Sequence, residues 1–177
     1  MIITLVSAFW VMLPAYIPNS VAVVSGGGIP IDFGKNFFDG NRIFGDGKTW
    51  RGFIFGSTAG ILVGLLLILL QTTYALTFLP RMTLAGIVLF AVGALLGDLG
   101  KSFIKRRLGK PPGSKWPIAD QYDLVAGAFV MASVFDPGWF FSVMTLPIFI
   151  AILIITPVLH RITNIIGYAA GVKKVPW

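Results

Sequence analysis

The chain has 177 residues, 56% of them hydrophobic and 12% charged, with a mean hydropathy of +0.86. Soluble domains carry about twice that share of charge, so lipid is the expected solvent of much of the surface and the chain reads as a single membrane-embedded domain, residues 1–177. The lack of cysteine excludes disulfides and thiolate chemistry, the lone His160 argues against a His-rich metal site or a Ser-His-Asp triad, and the net charge of +7 lies between apolar runs, so no nucleic-acid partner is expected.

Five segments are apolar enough to span a bilayer, which takes about 20 residues as a helix. The first, Ile2 to Val24, contains Pro14 and Pro18 and should be kinked. Met1 to Phe9 lacks the basic start of a cleavable signal, so this segment is expected to stay. The second, Phe53 to Gln71, carries no charge. The third begins near Met82, is apolar to Gly97 and continues into Asp98 and Lys101. The fourth, Ile118 to Phe135, opens with Asp120 and Asp123. Asp136-Pro137-Gly138 reads as a tight turn, and the fifth span runs from Gly138 to about Leu159. Trp10, Trp139 and Trp177 suit the membrane interface, as does His160 at the end of the last span.

The fold class is therefore an all-α integral membrane protein of about five helices. Lys35, Arg42, Lys48 and Arg51, the group from Lys101 to Lys115, and Arg161, Lys173 and Lys174 all fall on one side, with Arg81 on the other. The positive-inside rule places the N-terminus outside and the C-terminus in the cytoplasm of a cell-membrane protein.

All seven acidic residues are aspartates. Asp98, Lys101, Ser102 and Lys105 are spaced i, i+3, i+4 and i+7 and form one helical stripe, and Asp120 and Asp123 share a face. If the third and fourth spans pack together, three carboxylates meet near the cytoplasmic interface. Such a set, without histidine, suits a hard cation, Mg²⁺ when phosphates complete the shell. The bland alternative is that these aspartates pair with nearby lysines to bury charge.

The loop after the third span is basic and holds Gly109, Pro111, Pro112 and Gly113, which suits phosphates. In the first loop, Gly45-Asp46-Gly47-Lys48-Thr49 resembles a P-loop fragment, but Arg42 stands where the first glycine belongs, so that reading fails. Lys48, Thr49 and Arg51 just before a helix still suit a phosphate, with Lys35, Asn41 and Arg42 weaker candidates.

Gly97-Asp98-Leu99-Gly100-Lys101-Ser102-Phe103-Ile104-Lys105-Arg106-Arg107, followed by Trp116-Pro117-Ile118-Ala119-Asp120-Gln121-Tyr122-Asp123, resembles the signature of the archaeal CDP-archaeol synthases. Lys48-Thr49-Trp50-Arg51-Gly52 resembles an element shared with the wider group of phosphatidate cytidylyltransferases. Against that wider group, Pro111 replaces an aspartate, Gln121 an arginine, and a His-Gly-Gly element is missing. The resemblance implies transfer of CMP from CTP to a phosphorylated isoprenoid diether of glycerol, giving a CDP-lipid and pyrophosphate in phospholipid biosynthesis.

On that reading Asp98, Asp120 and Asp123 hold Mg²⁺, and Lys105 acts with them. Lys101, Arg106 and Lys110 bind phosphates, Ser102 donates a hydrogen bond, and Lys48, Thr49 and Arg51 make a second nucleotide contact. The competing reading is a small anion transporter or channel. It would favour charge at mid-depth, whereas the charges cluster at one face.

Overall fold

A computed structural model describes residues 1–171 of the chain; Lys173, Lys174 and Trp177, which carried part of the orientation and anchoring argument, lie outside the described residues. Among the described residues six helices follow in order: α1 (Ile2–Ser25), α2 (Trp50–Thr73), α3 (Leu84–Arg107), α4 (Pro117–Phe135), α5 (Pro137–Val143) and α6 (Leu146–Ala169). Among the described residues, all but α5 are long and apolar enough to cross a membrane. The five-span, all-helical expectation is met.

Helix α1 stays helical across both prolines. Pro18 has no N–H, so the Pro14 carbonyl loses its donor one turn on. Helix α2 answers this with glycine at every fourth residue, Gly52, Gly56, Gly60 and Gly64, which share one face. A Cβ at Gly60 would lie 2.5 Å from the Pro14 carbonyl oxygen. Only glycine admits so close an approach, which leaves its Cα hydrogens to face the orphaned oxygen. The other three glycines meet α1 or α3 as tightly, with would-be Cβ contacts of 2.6 to 2.9 Å.

Helices α3 and α4 lock by the same device. A Cβ at Gly97 would fall 2.0 Å from the Asp123 carbonyl oxygen, and one at Gly127 2.1 Å from that of Gly93. Backbone therefore touches backbone where the carboxylates are carried. Around this frame Met12, Ile87, Phe90 and Ile152 are fully buried, while Ile54, Leu62, Leu66 and Leu69 of α2 face outward, as lipid-facing residues must.

The expected turn at Asp136-Pro137-Gly138 is instead the start of α5. Asp136 caps that helix, accepting from the Trp139 N–H at 3.2 Å, and Pro137 occupies its first turn. The last span consequently begins at Leu146, not Gly138, and runs on to Ala169. Trp139 is buried in the protein rather than exposed: its ring stands edge-on to Phe90 at 5.1 Å and its Nε1 donates to the Arg81 carbonyl at 2.8 Å. His160 lies within α6, bonded to Asn164 at 3.2 Å, instead of closing the helix.

Candidate active site

The first connection, residues 26–49, is folded around one carboxylate. Asp32 is buried and accepts from the Arg42 Nη2 at 2.7 Å, from the Phe44 and Gly45 N–H groups at 2.9 Å each, and from the Gly34 N–H at 3.1 Å. Burial alone would raise its pKa, but the guanidinium and these three N–H groups outweigh it and hold the carboxyl well below the usual range. The same pairing, with a second bond to Asp46 at 2.6 Å, raises the pKa of Arg42. The connection is also fastened to the end of α3. Arg107 meets Asp39 at 2.6 Å, donates to the Asn41 and Arg42 carbonyls, and stacks over Phe37 and Phe103 at 4.8 and 4.7 Å.

This fastening sets down the end of the connection beside α3. Thr49 caps α2 through its hydroxyl, which accepts from the Gly52 N–H at 3.2 Å. Lys48, one residue earlier, reaches across and ion-pairs with Asp98. The α3 stripe forms as its spacing predicted. The Lys101 ammonium is shared by three carboxylates, at 3.2 Å from Asp98, 3.3 Å from Asp120 and 2.5 Å from Asp123. Lys105 bonds Asp120 at 2.6 Å and the Ser114 carbonyl at 2.7 Å, tying the connection between α3 and α4, residues 108–116, to α4. Asp120 also accepts from the Trp116 N–H at 2.7 Å, at the start of its own helix.

A cleft of about 800 Å³ opens over this cluster. Its charged end is lined by Lys48, Asp98, Lys101, Ser102, Lys105, Arg106, Asp120 and Asp123. Arg106 is buried there with its Nε unpartnered, a donor left for an anion. From that end the cleft continues between α1 and α6 along Phe9, Leu13, Ile17 and Val23 on one side and Leu159 and Ile166 on the other. The Tyr16 and Thr156 hydroxyls bond across it at 2.8 Å.

The structure thus gathers Asp98, Asp120, Asp123, Lys48, Thr49, Lys101, Ser102, Lys105 and Arg106 in one cleft. Arg51 and Lys110 stand outside its lining. Arg51 donates to the Ser25 and Gly26 carbonyls at 2.6 and 2.8 Å, closing the C-terminus of α1, and Lys110 lies over the Trp116 ring at 6.0 Å. Asn41 and Arg42 serve the connection itself, as the bonds to Asp39 and Asp32 show. Sequence reasoning missed Asp32 as the hub of that connection. Its glycine-rich neighbourhood, Gly34, Gly40, Gly45 and Gly47, was the available signal for a loop wrapped on one acceptor.

The three site carboxylates are oxygen-only donors on two helices fixed against each other, a chemistry that fits a hard cation such as Mg²⁺. Among the described residues no three acidic or histidine side chains are drawn together tightly enough to form a metal-binding cluster. Lysines pair with all three.

A membrane-embedded bundle whose cleft joins a cation-rich, carboxylate-bearing end to an apolar trough defines an intramembrane enzyme acting on a phosphorylated lipid. The CarS-like family of CDP-archaeol synthases matches residues 1–177. The CDP-archaeol synthase of Methanoregula boonei is 63% identical, covering 94% of this chain and all of that protein. The synthase of Methanoculleus marisnigri is 57% identical over the same shares. That of Halobacterium salinarum is 42% identical, covering 98% of this chain and 97% of that one. A solved structure described as an intramembrane enzyme for archaeal membrane lipids biosynthesis aligns with a TM-score of 0.69 at 30% identity, covering 96% of this chain and 95% of that one. The chain belongs to the CDP-archaeol synthase family.

Proposed function

We propose that the chain, acting as one embedded domain, transfers CMP from CTP to a phosphorylated isoprenoid diether of glycerol, releasing pyrophosphate, at the cytoplasmic face of the cell membrane, with Mg²⁺ held by Asp98, Asp120 and Asp123. Cytidylyl transfer from CTP to an archaeal lipid phosphate, in membrane lipid biosynthesis, follows from the family. The observation that carries the finer reading is the continuous cleft, charged at one end and apolar along α1 and α6. It offers one wall chemistry to a triphosphate and another to isoprenoid chains. A permeating anion would gain nothing from the apolar trough.

The nucleophile is an oxygen of the lipid phosphate monoester. Its second pKa is about 6, so it is largely dianionic at neutral pH and requires no general base. That oxygen attacks the α-phosphorus of CTP, the bond from the α-phosphorus to the bridging oxygen breaks, and pyrophosphate leaves with that bonding pair. Repulsion between the two anions is the main barrier, and fixed cations lower it most when they surround the developing charge. Lys48, Lys101, Lys105 and Arg106 provide that surround, and the Ser102 hydroxyl is placed to donate to a phosphate oxygen. Mg²⁺ at the aspartates would add charge neutralisation of the phosphates and of the leaving group. The trough between α1 and α6 holds the chains and so orients the reacting phosphate. The basic residues around the charged end, Lys35, Arg42, Lys48, Lys105 and Arg106 among them, favour the cytoplasmic side.

The test is transfer of label from α-labelled CTP to a geranylgeranyl diether glycerol phosphate by the purified protein in detergent with Mg²⁺. Lipid-borne label, matched by pyrophosphate and abolished by EDTA, is expected. No transfer to that lipid or to phosphatidate, by protein shown to be folded, would overturn the reading.

A further inference from the structure

Lys101 does not simply face the place where phosphates would sit. Its ammonium lies within 3.3 Å of oxygens from all three aspartates. Lys48 neutralises Asp98 from the first connection, and Lys105 neutralises Asp120. Three carboxylates are thus met by three ammonium groups, with the buried Arg106 adding a further positive charge. A divalent cation arriving alone would enter a site with no negative charge to spare. It would also have to displace Lys101.

The displaced ammonium would then need a new partner. The other acidic residue lining the cleft, Asp46, is already taken by Arg42 at 2.6 Å. The remaining wall is largely apolar. A buried charge stripped of its partner is strongly unfavourable. A polyphosphate changes the balance, because its oxygens can receive the lysine as the carboxylates are surrendered. Lysine is suited to this exchange: it is a point charge on a four-carbon stem that swings between acceptors.

We infer that Lys101 guards the three aspartates against bare divalent metal, so that the cation is admitted only together with a nucleotide polyphosphate, to which Lys101 transfers. The inference rests on the nucleotide reading above for the identity of the anion. Lys101 is then a gate on the order of binding, in addition to any contact it makes with phosphate.

The experiment is Mn²⁺ binding, read by electron paramagnetic resonance of the free ion, on detergent-purified full-length protein. It is run with no nucleotide and with an α,β-methylene analogue of CTP. With the Mn²⁺ bound by the analogue in the absence of protein subtracted, the wild-type protein is expected to bind Mn²⁺ weakly alone and at least tenfold more tightly with the analogue. Lys101→Met is expected to bind bare Mn²⁺ at least tenfold more tightly than wild type, while Lys101→Arg keeps the wild-type weakness. Unchanged or weaker bare-Mn²⁺ binding by folded Lys101→Met overturns the inference. If that variant does not fold, Lys101→Gln takes its place, and the wild-type comparison still decides. Equal Mn²⁺ affinity with and without the analogue overturns the gate without any variant. Label transfer by the wild-type enzyme is scored separately, so a failed gate with active enzyme refutes only the gate. A working charge competition in protein that transfers nothing refutes the function instead.

Discussion

Replacing Gly97 by alanine inserts a methyl group where α3 and α4 leave none. The new carbon would lie 2.0 Å from the Asp123 carbonyl oxygen, 2.9 Å from its carbonyl carbon and 3.0 Å from the Gly127 Cα. A relaxed C···O contact is about 3.3 Å, so the helices must part by about 1.3 Å at this level. The atoms in the way are backbone, which cannot rotate aside as a side chain could. Overpacking of this kind costs about 3 kcal/mol, which for a chain of this size lowers the midpoint of thermal unfolding by roughly 10 °C. The parting also carries Asp123 away from Lys101 and Asp98, and a displacement of about 1 Å at reacting groups lowers turnover on the order of 100-fold. Gly100 lies one turn further along the same helix, and a Cβ there meets nothing within 4 Å. Gly100→Ala should therefore be neutral or stabilising by up to about 1 kcal/mol, through helix propensity alone. Both variants are compared by thermal unfolding in detergent and by CTP turnover. If Gly97→Ala unfolds and turns over like wild type, or if Gly100→Ala is as damaging, the close-packing argument is wrong.

Three further outcomes follow from the first connection. Asp32→Ala leaves the Phe44 and Gly45 N–H groups without their acceptor, a loss of about 2 kcal/mol, and should open residues 26–49 to limited proteolysis while α2 to α4 remain resistant. Because the folded pKa of Asp32 is depressed, its contribution is fully present above the ordinary carboxylate value of about 4 and is lost as pH falls below it. Asp39, held below the usual range by its Asn41 bonds and by Arg107 against the opposing effect of burial, follows the same sign. Pepsin cleavage within 26–49 should therefore rise steeply below about pH 4, and a flat profile from pH 5 to pH 2 would refute the assignment. Arg107→Ala removes the Asp39 pair, two carbonyl bonds and two ring contacts at once. KM for CTP should rise several-fold through misplacement of Lys48, with folding of the bundle retained; an unchanged KM would show that Lys48 does not depend on this fastening.

The spans and the carboxylate-bearing faces were legible because both are local signals. An uncharged run from Phe53 to Gln71 has only one solvent, and Asp98 with Lys101 at i, i+3 must share a helix face. Arg51 was not legible. Its partners, the Ser25 and Gly26 carbonyls, lie a whole connection away, and nothing near Arg51 in sequence announces an α1 terminus to be closed. Helix α5 was misread because Asp-Pro-Gly carries two meanings. The aspartate that starts a turn also caps a helix, and the proline that follows is equally at home in a first helical turn. The lysine arrangement fell between the two readings of the sequence: the aspartates do converge, and each is also paired with a lysine.

The glycine contact between α3 and α4 has a consequence for life in a changing bilayer. Membranes vary in thickness, and spans respond by tilting at modest cost per ångström of mismatch. A seam made of backbone has no rotamers through which to yield, whereas α6 presents mostly flexible aliphatic side chains outward. Tilt is therefore absorbed by the periphery of the bundle, and the two helices that carry Asp98, Asp120 and Asp123 move as one unit. The spacing of the reactive groups is insulated from the thickness of the lipid that this family helps to make.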